Sequence, residues 1–326
     1  MDISLPEKLS AEQIKDKARA LGAELVGIAD GRAMDRHPPD PANPRRPADI
    51  SGPDSARVIV LGLHVLGGTS RVPEWNSRHK FHNDELTLTA LEEIALDLVY
   101  WLEGRGHTGL IVPHHMVEPV DPAADPTGYN PPLLPLDHAA VEAGLGTLGL
   151  NLQLLTPEYG PRVILTSVLT AAPVEADQPM DGALCQGPSC GRCLAACPAD
   201  AVGHWERDFG ACEKFKSPNG FPLAADFLER FAGEEDADAR RNMLRSRDSF
   251  DLWQGIMRGA GVVVGCRRCQ DVCPVGADYQ AMIGDVLETI AEDTPEKAAR
   301  LKSMAAAEGS GTIAAGRTAA ARWIGV

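Results

Sequence analysis

A chain of 326 residues, 44% of them hydrophobic, can build one large domain or two ordinary ones, each with a sizeable core. Forty-six acids against 31 bases give a formal charge of −15, which argues against a binder that grips nucleic acid or an anionic membrane through Lys and Arg. The N-terminus, MDISLPEKLSAEQ, has no basic segment leading into an apolar one, and no apolar run approaches the length of a membrane span. A cytoplasmic location, where thiols stay reduced, is the expectation.

In chain order, Ser10 to Gly22 reads as a helix. Ser10 caps it with Gln13 three residues on, and Gly22 ends it. Glu24 to Ala29 is a short strand, and residues 31 to 56, rich in Pro, Asp and Arg, read as irregular loop. Arg57 to Val65 is continuous and β-branched, a strand buried on both faces. Glu85 to Glu103 is the strongest helical pattern, with Leu91, Ile94, Leu98 and Trp101 along one face. Leu110 to Val112 gives a further strand. Residues 113 to 135 hold seven prolines, His114, His115, Tyr129 and Asn130, with no secondary-structure period. A segment of that kind inside a compact domain is functional or disordered.

Asp137 to Ala143 then reads as a short helix running into AGLGTLGLN, and Pro161 to Leu169 as another buried strand. The alternation argues an α/β domain over residues 1–175. Residues 176–326 form a second, cysteine-bearing unit with a helical insertion at 213–262 and a helical tail. In that tail Trp323 and Ile324 dock the terminus or mark a homodimer contact.

All eight cysteines lie in this second half. The first run is Cys185-x4-Cys190-x2-Cys193-x3-Cys197-Pro198; Cys212 stands alone; the second run is Cys266-x2-Cys269-x3-Cys273-Pro274. Two [4Fe-4S] clusters need eight thiolates, so the count closes. In bacterial two-cluster runs the Cys before Pro ligates the other cluster. That rule assigns Cys185, Cys190, Cys193 and Cys273 to one cluster, and Cys197, Cys212, Cys266 and Cys269 to the other. A disulfide framework belongs to small secreted domains. Zinc would accept the Cys-x2-Cys pairs but leaves Cys-Pro at the end of both runs unexplained. Lys214 and Lys216, after Cys212, are expected beside a cluster as compensating charge.

The segment Ala143 to Thr170, AGLGTLGLNLQLLTPEYGPRVILTSVLT, followed by the two cysteine runs, resembles the corrinoid iron–sulfur reductases. That superfamily contains the reductive dehalogenases and the epoxyqueuosine reductases. The dehalogenase pattern is the nearer one, carried here by Ala143–Gly146, Leu154–Pro157, Tyr159–Pro161 and Thr170. The resemblance implies a nitroreductase-like domain holding cobalamin base-off, followed by a two-cluster ferredoxin-like domain. Consistent with base-off binding, no Asp-x-His-x-x-Gly motif occurs. It points to Gly144, Leu145, Gly146, Thr156, Pro157, Tyr159, Gly160 and Thr170 as the corrin-binding set. Glycines there would let a flat macrocycle approach backbone; the plainer alternative is a tight turn between helix and strand.

Reductive cleavage also needs a proton. Tyr129 is the first choice as donor, with Asn130 and His138 beside it as catalytic candidates and His114 and His115 further off. The plainer alternatives are that His138 caps a helix and that His114-His115 is a surface turn. Two positions depart from the family. Ile164 stands where respiratory dehalogenases carry Arg, with Arg162 nearby in another register. Asn130 stands where epoxyqueuosine reductases carry Asp. The resemblance implies reductive dehalogenation or a similar reductive cleavage of a small organic molecule, fed by a ferredoxin or flavodoxin. Epoxyqueuosine-type reduction on tRNA and a non-catalytic corrinoid carrier are the alternatives.

Overall fold

The computed structural model describes residues 6–40, 43–72, 77–114, 131–218, 220–258, 265–284 and 289–314. Helix α1 (Ala11–Leu21) carries the expected capping box: Ser10 Oγ accepts from the Gln13 N–H at 3.2 Å, and Gln13 Oε1 accepts from the Ser10 N–H at 2.8 Å. Gly22 closes it at φ +113°, a conformation that suits glycine. Strand β1 (Leu25–Asp30) follows. The stretch expected to be irregular holds two short helices, α2 (Gly31–Arg36) and α3 (Pro47–Ile50). Asp30, just before that stretch, caps the first through the Arg32 N–H, and Pro47, one of the prolines that suggested loop, opens the second.

Strand β2 (Arg57–His64) and helix α4 (Gly67–Ser70) lead to α5 (Ser77–Glu103). That helix starts two turns earlier than its sequence period indicates. Phe81, Leu88, Leu91, Ala95, Leu98 and Leu102 form its buried stripe, and Asp84, only 1% exposed, interrupts it. An acid on the apolar face hid the period. Strand β3 (Leu110–Val112), helix α6 (Leu136–Glu142), the small hairpin β4 (Thr147–Leu148) and β5 (Leu154–Leu155), and β6 (Val163–Thr170) complete the first half.

The main sheet has the order β1-β2-β6-β3, and every pairing is antiparallel, with Ile28 opposite Ile59, Leu61 opposite Thr166 and Ile111 opposite Val168. The mixed fold expected from the sequence is therefore an antiparallel one. Helices α1 and α5 cover one face against Ile28, Ile59, Leu61 and Val168. Helix α6 and the hairpin cover the other against Val58, Val60, Leu165 and Leu169. Antiparallel sheets commonly leave one face wet. Here both are dry, all eight residues of β6 are buried, and the strands read as unbroken apolar runs.

Beyond the sheet come α7 (Arg192–Ala195) and α8 (Phe209–Lys216), then three helices of the expected insertion, α9 (Phe221–Gly233), α10 (Ala237–Leu244) and α11 (Arg247–Arg258). The chain leaves after Lys216 and returns where the Cys266 N–H donates to the Lys216 carbonyl at 3.1 Å. Helix α12 (Arg268–Asp271) carries Cys269, and α13 (Pro295–Gly309) buttresses the first cysteine run. Lys297 Nζ of α13 donates to the Ala195 and Cys197 carbonyls at 3.0 and 2.8 Å, satisfying groups at the end of α7. No helix among the described residues is long and apolar enough to cross a membrane.

Candidate metal centres and the turn between them

All eight cysteines are described, and no disulfide joins them. Burial raises the Cys269 thiol to about 12 and the Cys273 thiol to about 11, and raises Cys193 and Cys266 as well. After burial, neighbouring thiols act on one another. Cys269 bears most on Cys193, followed by Cys185, Cys273 and Cys190; Cys185 and Cys190 also bear on Cys273. Cys212 bears on both Cys266 and Cys269, and Cys197 on Cys266. The two cysteine runs and Cys212 are thus brought together in space.

N–H donors already point at the sulfurs. The Leu150 and Gly187 amides donate to Cys185 Sγ at 3.4 and 3.3 Å, and the Ala201 amide to Cys197 Sγ at 3.3 Å. Buried thiols that repel one another's charge are poor free thiolates. They suit sulfurs that a metal group deprotonates on binding, with hydrogen bonds ready to spread the charge. Among the described residues no three His, Cys, Asp or Glu side chains close around a single-ion position. A cubane, which spreads four thiolates over four irons, does not require one. The thiols therefore fit the clusters.

The turn from Gly149 to Gln153 lies between the two sets. The Leu150 N–H reaches Cys185 Sγ of one, and Cys269 Sγ of the other donates to Gln153 Oε1 at 3.5 Å. Asn151 is 3% exposed and also donates to Gln153 Oε1 at 2.8 Å. Leu152 takes φ +58°, an uncommon conformation for a branched residue and a mark of a turn held by its surroundings.

The TPEYGP segment packs on the loop that follows Cys273. The Ala277 and Asp278 amides donate to the Pro157 and Glu158 carbonyls, both at 3.1 Å. Arg162, 1% exposed, drives its guanidinium into that loop. It pairs with both Asp278 oxygens at 2.7 Å and donates to the Gln270, Cys273 and Val275 carbonyls at 3.1, 2.8 and 2.6 Å. Arg162 is thus a structural staple rather than a helper of catalysis. A second staple sits behind Cys266 and Cys269. Arg267 bonds Asp84, Asp271 and Thr69, while Lys80 and Ser70 bond Asp271. Burial pushes the Asp271 carboxyl up, but Arg267 and Lys80 outweigh it and hold it low.

The glycines of the expected corrin-binding set lie against the chain's own backbone. A Cβ on Gly146 would lie 1.9 Å from the Leu155 carbonyl oxygen, and one on Gly160 2.0 Å from that of Val275. Gly144 faces the Gln178 carbonyl in the same way. The space each lacks is filled by the chain's own backbone, which is the tight-turn alternative. Leu145 packs into the sheet core. Thr156 Oγ1 accepts from the Tyr159 N–H at 3.1 Å, and the Pro157 carbonyl is taken by Ala277. Thr170 stands at the far end of β6, its hydroxyl donating to the Thr108 carbonyl at 2.7 Å, so the eight residues do not share a face.

Tyr159 keeps a partly exposed ring, stacked on His64 at 5.1 Å between centroids, and His64 Nδ1 lies 2.7 Å from Glu24. Desolvation, then Glu24, Glu158 and Asp278, raise the phenol's pKa, so it keeps its proton. Glu24 and His64 were missed because no local spacing links them to Tyr159. Tyr129, Asn130 and His115 lie outside the described residues, as do Trp323 and Ile324. His138 lies within α6 and does not cap it; the N-cap is Pro135. Burial lowers His138 to about 4, so its imidazole is neutral near pH 7 and is no imidazolium donor there. As pH falls from about 6.5, the unfolded chain takes up the proton first. Stability contributed by this group is complete above pH 6.5 and is lost toward pH 4, by at most about 3 kcal/mol at 1.36 kcal/mol per unit. Urea titrations of wild type and His138→Gln should diverge along that acid limb. Parallel curves would refute the assignment.

The chain matches no family profile. It is 28% identical over 217 residues to an epoxyqueuosine reductase of Gloeobacter violaceus, covering 59% of this chain and 61% of that one. It is 24% identical over 278 residues to a tetrachloroethene reductive dehalogenase of Dehalobacter restrictus, covering 66% of this chain and 46% of that one. The chain thus spans about half to three fifths of the length of these relatives. A solved catabolic reductive dehalogenase superposes with TM-score 0.50 at 16% identity, over 94% of this chain and 37% of its own, a likeness of fold.

Proposed function

We propose, on the premise that this chain is related to both the epoxyqueuosine reductases and the reductive dehalogenases, that it is a cobalamin-dependent iron–sulfur reductase. The observation that carries the reading is that eight cysteines from two separate runs and Cys212 gather around the Gly149–Gln153 turn. On this reading Cys185, Cys190, Cys193 and Cys273 hold one cluster, and Cys197, Cys212, Cys266 and Cys269 the other. The clusters supply one-electron transfer, and the corrinoid supplies the bond-cleaving chemistry. The corrinoid rests on kinship alone, and no step is derived through it.

The protein's own part is positional. Leu150 and Gln153 each hydrogen-bond one sulfur, of Cys185 and Cys269 respectively, and the Arg162 and Arg267 staples lock the second cysteine run against the sheet. A ferredoxin or flavodoxin is the proposed electron source, and the first half is the proposed nitroreductase-like, corrinoid-bearing domain. Kinship supports a small organic substrate and an epoxyqueuosine tRNA equally. The charge of −15 favours the small molecule, since tRNA phosphates are gripped by Lys and Arg.

Anaerobic reconstitution with iron, sulfide and cobalamin should yield about eight irons and one cobalt per chain, from two cubanes and one corrinoid. Zinc in place of iron would end the proposal, and iron without retained cobalt would reduce it to electron transfer. Cys269→Ser should lose about four of those irons, the content of one cubane, together with one paramagnetic signal. Retention of both signals would break the assignment of that cysteine.

A further inference from the structure

One side chain of the Gly149–Gln153 turn faces a cysteine sulfur with an amide that can present either of its ends. The backbone around Gln153 is held on both sides. Its carbonyl accepts from the Gly149 N–H at 2.8 Å, and the next amide, of Leu154, donates to Asp137 Oδ1 at 2.7 Å. The Gln153 side-chain oxygen lies 3.5 Å from Cys269 Sγ, and Asn151 Nδ2 donates to the same oxygen at 2.8 Å. With Cys269 protonated, its S–H is the donor of the first contact, and Gln153 Oε1 accepts from both neighbours.

Metal binding removes that proton. A metal-bound thiolate only accepts, so two acceptors would face each other across 3.5 Å. Half a turn of the Gln153 carboxamide exchanges its oxygen for its nitrogen without changing its shape, and Nε2–H then donates to the sulfur. Asn151 turns with it, because two amide nitrogens would otherwise meet. Its Oδ1 is released at small cost, since the Gln153 N–H it holds is 3.4 Å away.

We propose that Gln153 is a positioning residue that donates a side-chain hydrogen bond to the Cys269 sulfur of the iron-loaded protein, and so raises the reduction potential of the cluster that this cysteine holds. This rests on the cluster reading above. A cluster that accepts one electron from an external donor gains one negative charge, shared by its sulfurs. An N–H aimed at a ligand sulfur stabilises that charge. Unlike the backbone amides on Cys185 and Cys197, this donor is a side chain and can be removed by substitution.

The test is a redox titration of anaerobically reconstituted protein with dithionite, followed by paramagnetic resonance. Gln153→Met keeps the length of the side chain and loses the N–H. One midpoint should fall and the other stay in place. The expected change is about tenfold in the reduced-to-oxidised ratio at fixed potential, about 59 mV for a one-electron couple. Gln153→Glu, which has the shape of glutamine, sets an oxygen against the sulfur and should lower the same midpoint at least as far. Unmoved midpoints in both variants at full iron content would overturn the proposal. A further measurement leaves Gln153 in place. Gln186 and Gln270 are the glutamines next to cysteines in sequence, and a protein carrying Gln186→Met and Gln270→Met lacks both. With nitrogen-15 in its remaining glutamine side-chain amides, that protein should show a nitrogen coupling on one cluster signal in pulsed resonance. No coupling would overturn the proposal even if the Gln153 variants failed to fold. Failure of the wild type to take up iron would instead count against the cluster reading itself.

Discussion

Replacing Arg162 by Ala should cost the folded protein about 3–5 kcal/mol, the usual loss on breaking a buried ion pair from one side. Removing the guanidinium strands Asp278, whose side chain is 8% exposed, and leaves the Gln270, Cys273 and Val275 carbonyls without this donor. Arg162→Lys should recover only part of the loss. A compact ammonium cannot reproduce the two-point bond to Asp278 while also reaching three carbonyls. Urea denaturation of the reconstituted wild type and both variants measures the order. An Ala variant within 1 kcal/mol of wild type would mean that the staple contributes little. Because Cys273 is one of the carbonyl partners, the same substitution should loosen one cluster, seen as iron lost during gel filtration.

Stripping the iron should unfold the second half and spare the first. The sheet has two dry faces, with twenty buried apolar side chains against one and seventeen against the other. Among the described residues, the cysteine-bearing half contributes five to the cluster around Leu194 and Trp205, which Leu150 of the first half completes, and a further pair at Tyr279 and Ile283. A core that small does not offset the conformational entropy of ordering its loops, so metal binding supplies the difference. Hydrogen exchange after chelation should therefore find Val163–Thr170 still protected, while amides around Arg192–Ala195 and Arg268–Asp271 exchange freely. Equal protection of both regions with and without iron would show that the second half folds unaided.

The legible parts of this sequence are those governed by local or counted rules. The capping box at Ser10 and Gln13 is local. The strands β2 and β6 are visible because burial on both faces leaves unbroken apolar runs. The two cysteine runs are visible because their spacing is local. Contacts across the chain stayed hidden. Arg162, Arg207 and Lys80 look like ordinary surface cations until folding brings them to carbonyls, a sulfur and a buried acid more or less remote in sequence. Lys214 and Lys216 drew attention by lying next to Cys212, yet the cation on that sulfur is Arg207. The glycines of AGLG and YGP are ambiguous in sequence for a related reason. A missing side chain signals close approach, but whether the approaching group is a ligand or the chain's own backbone is settled only by the fold.

The excursion between Lys216 and Cys266 has a consequence for how such a protein can change. It departs and rejoins at a single neck, sealed by one amide and by Gly265, where a Cβ would lie 1.4 Å from the Lys216 carbonyl oxygen. Whatever is grafted beyond that neck leaves the spacing of Cys212 and Cys266 untouched. Doubling a flexible loop costs only about 0.6 kcal/mol in closure entropy. The neck therefore frees this stretch to be trimmed, enlarged or exchanged across lineages while the sulfur positions beneath it stay where they are.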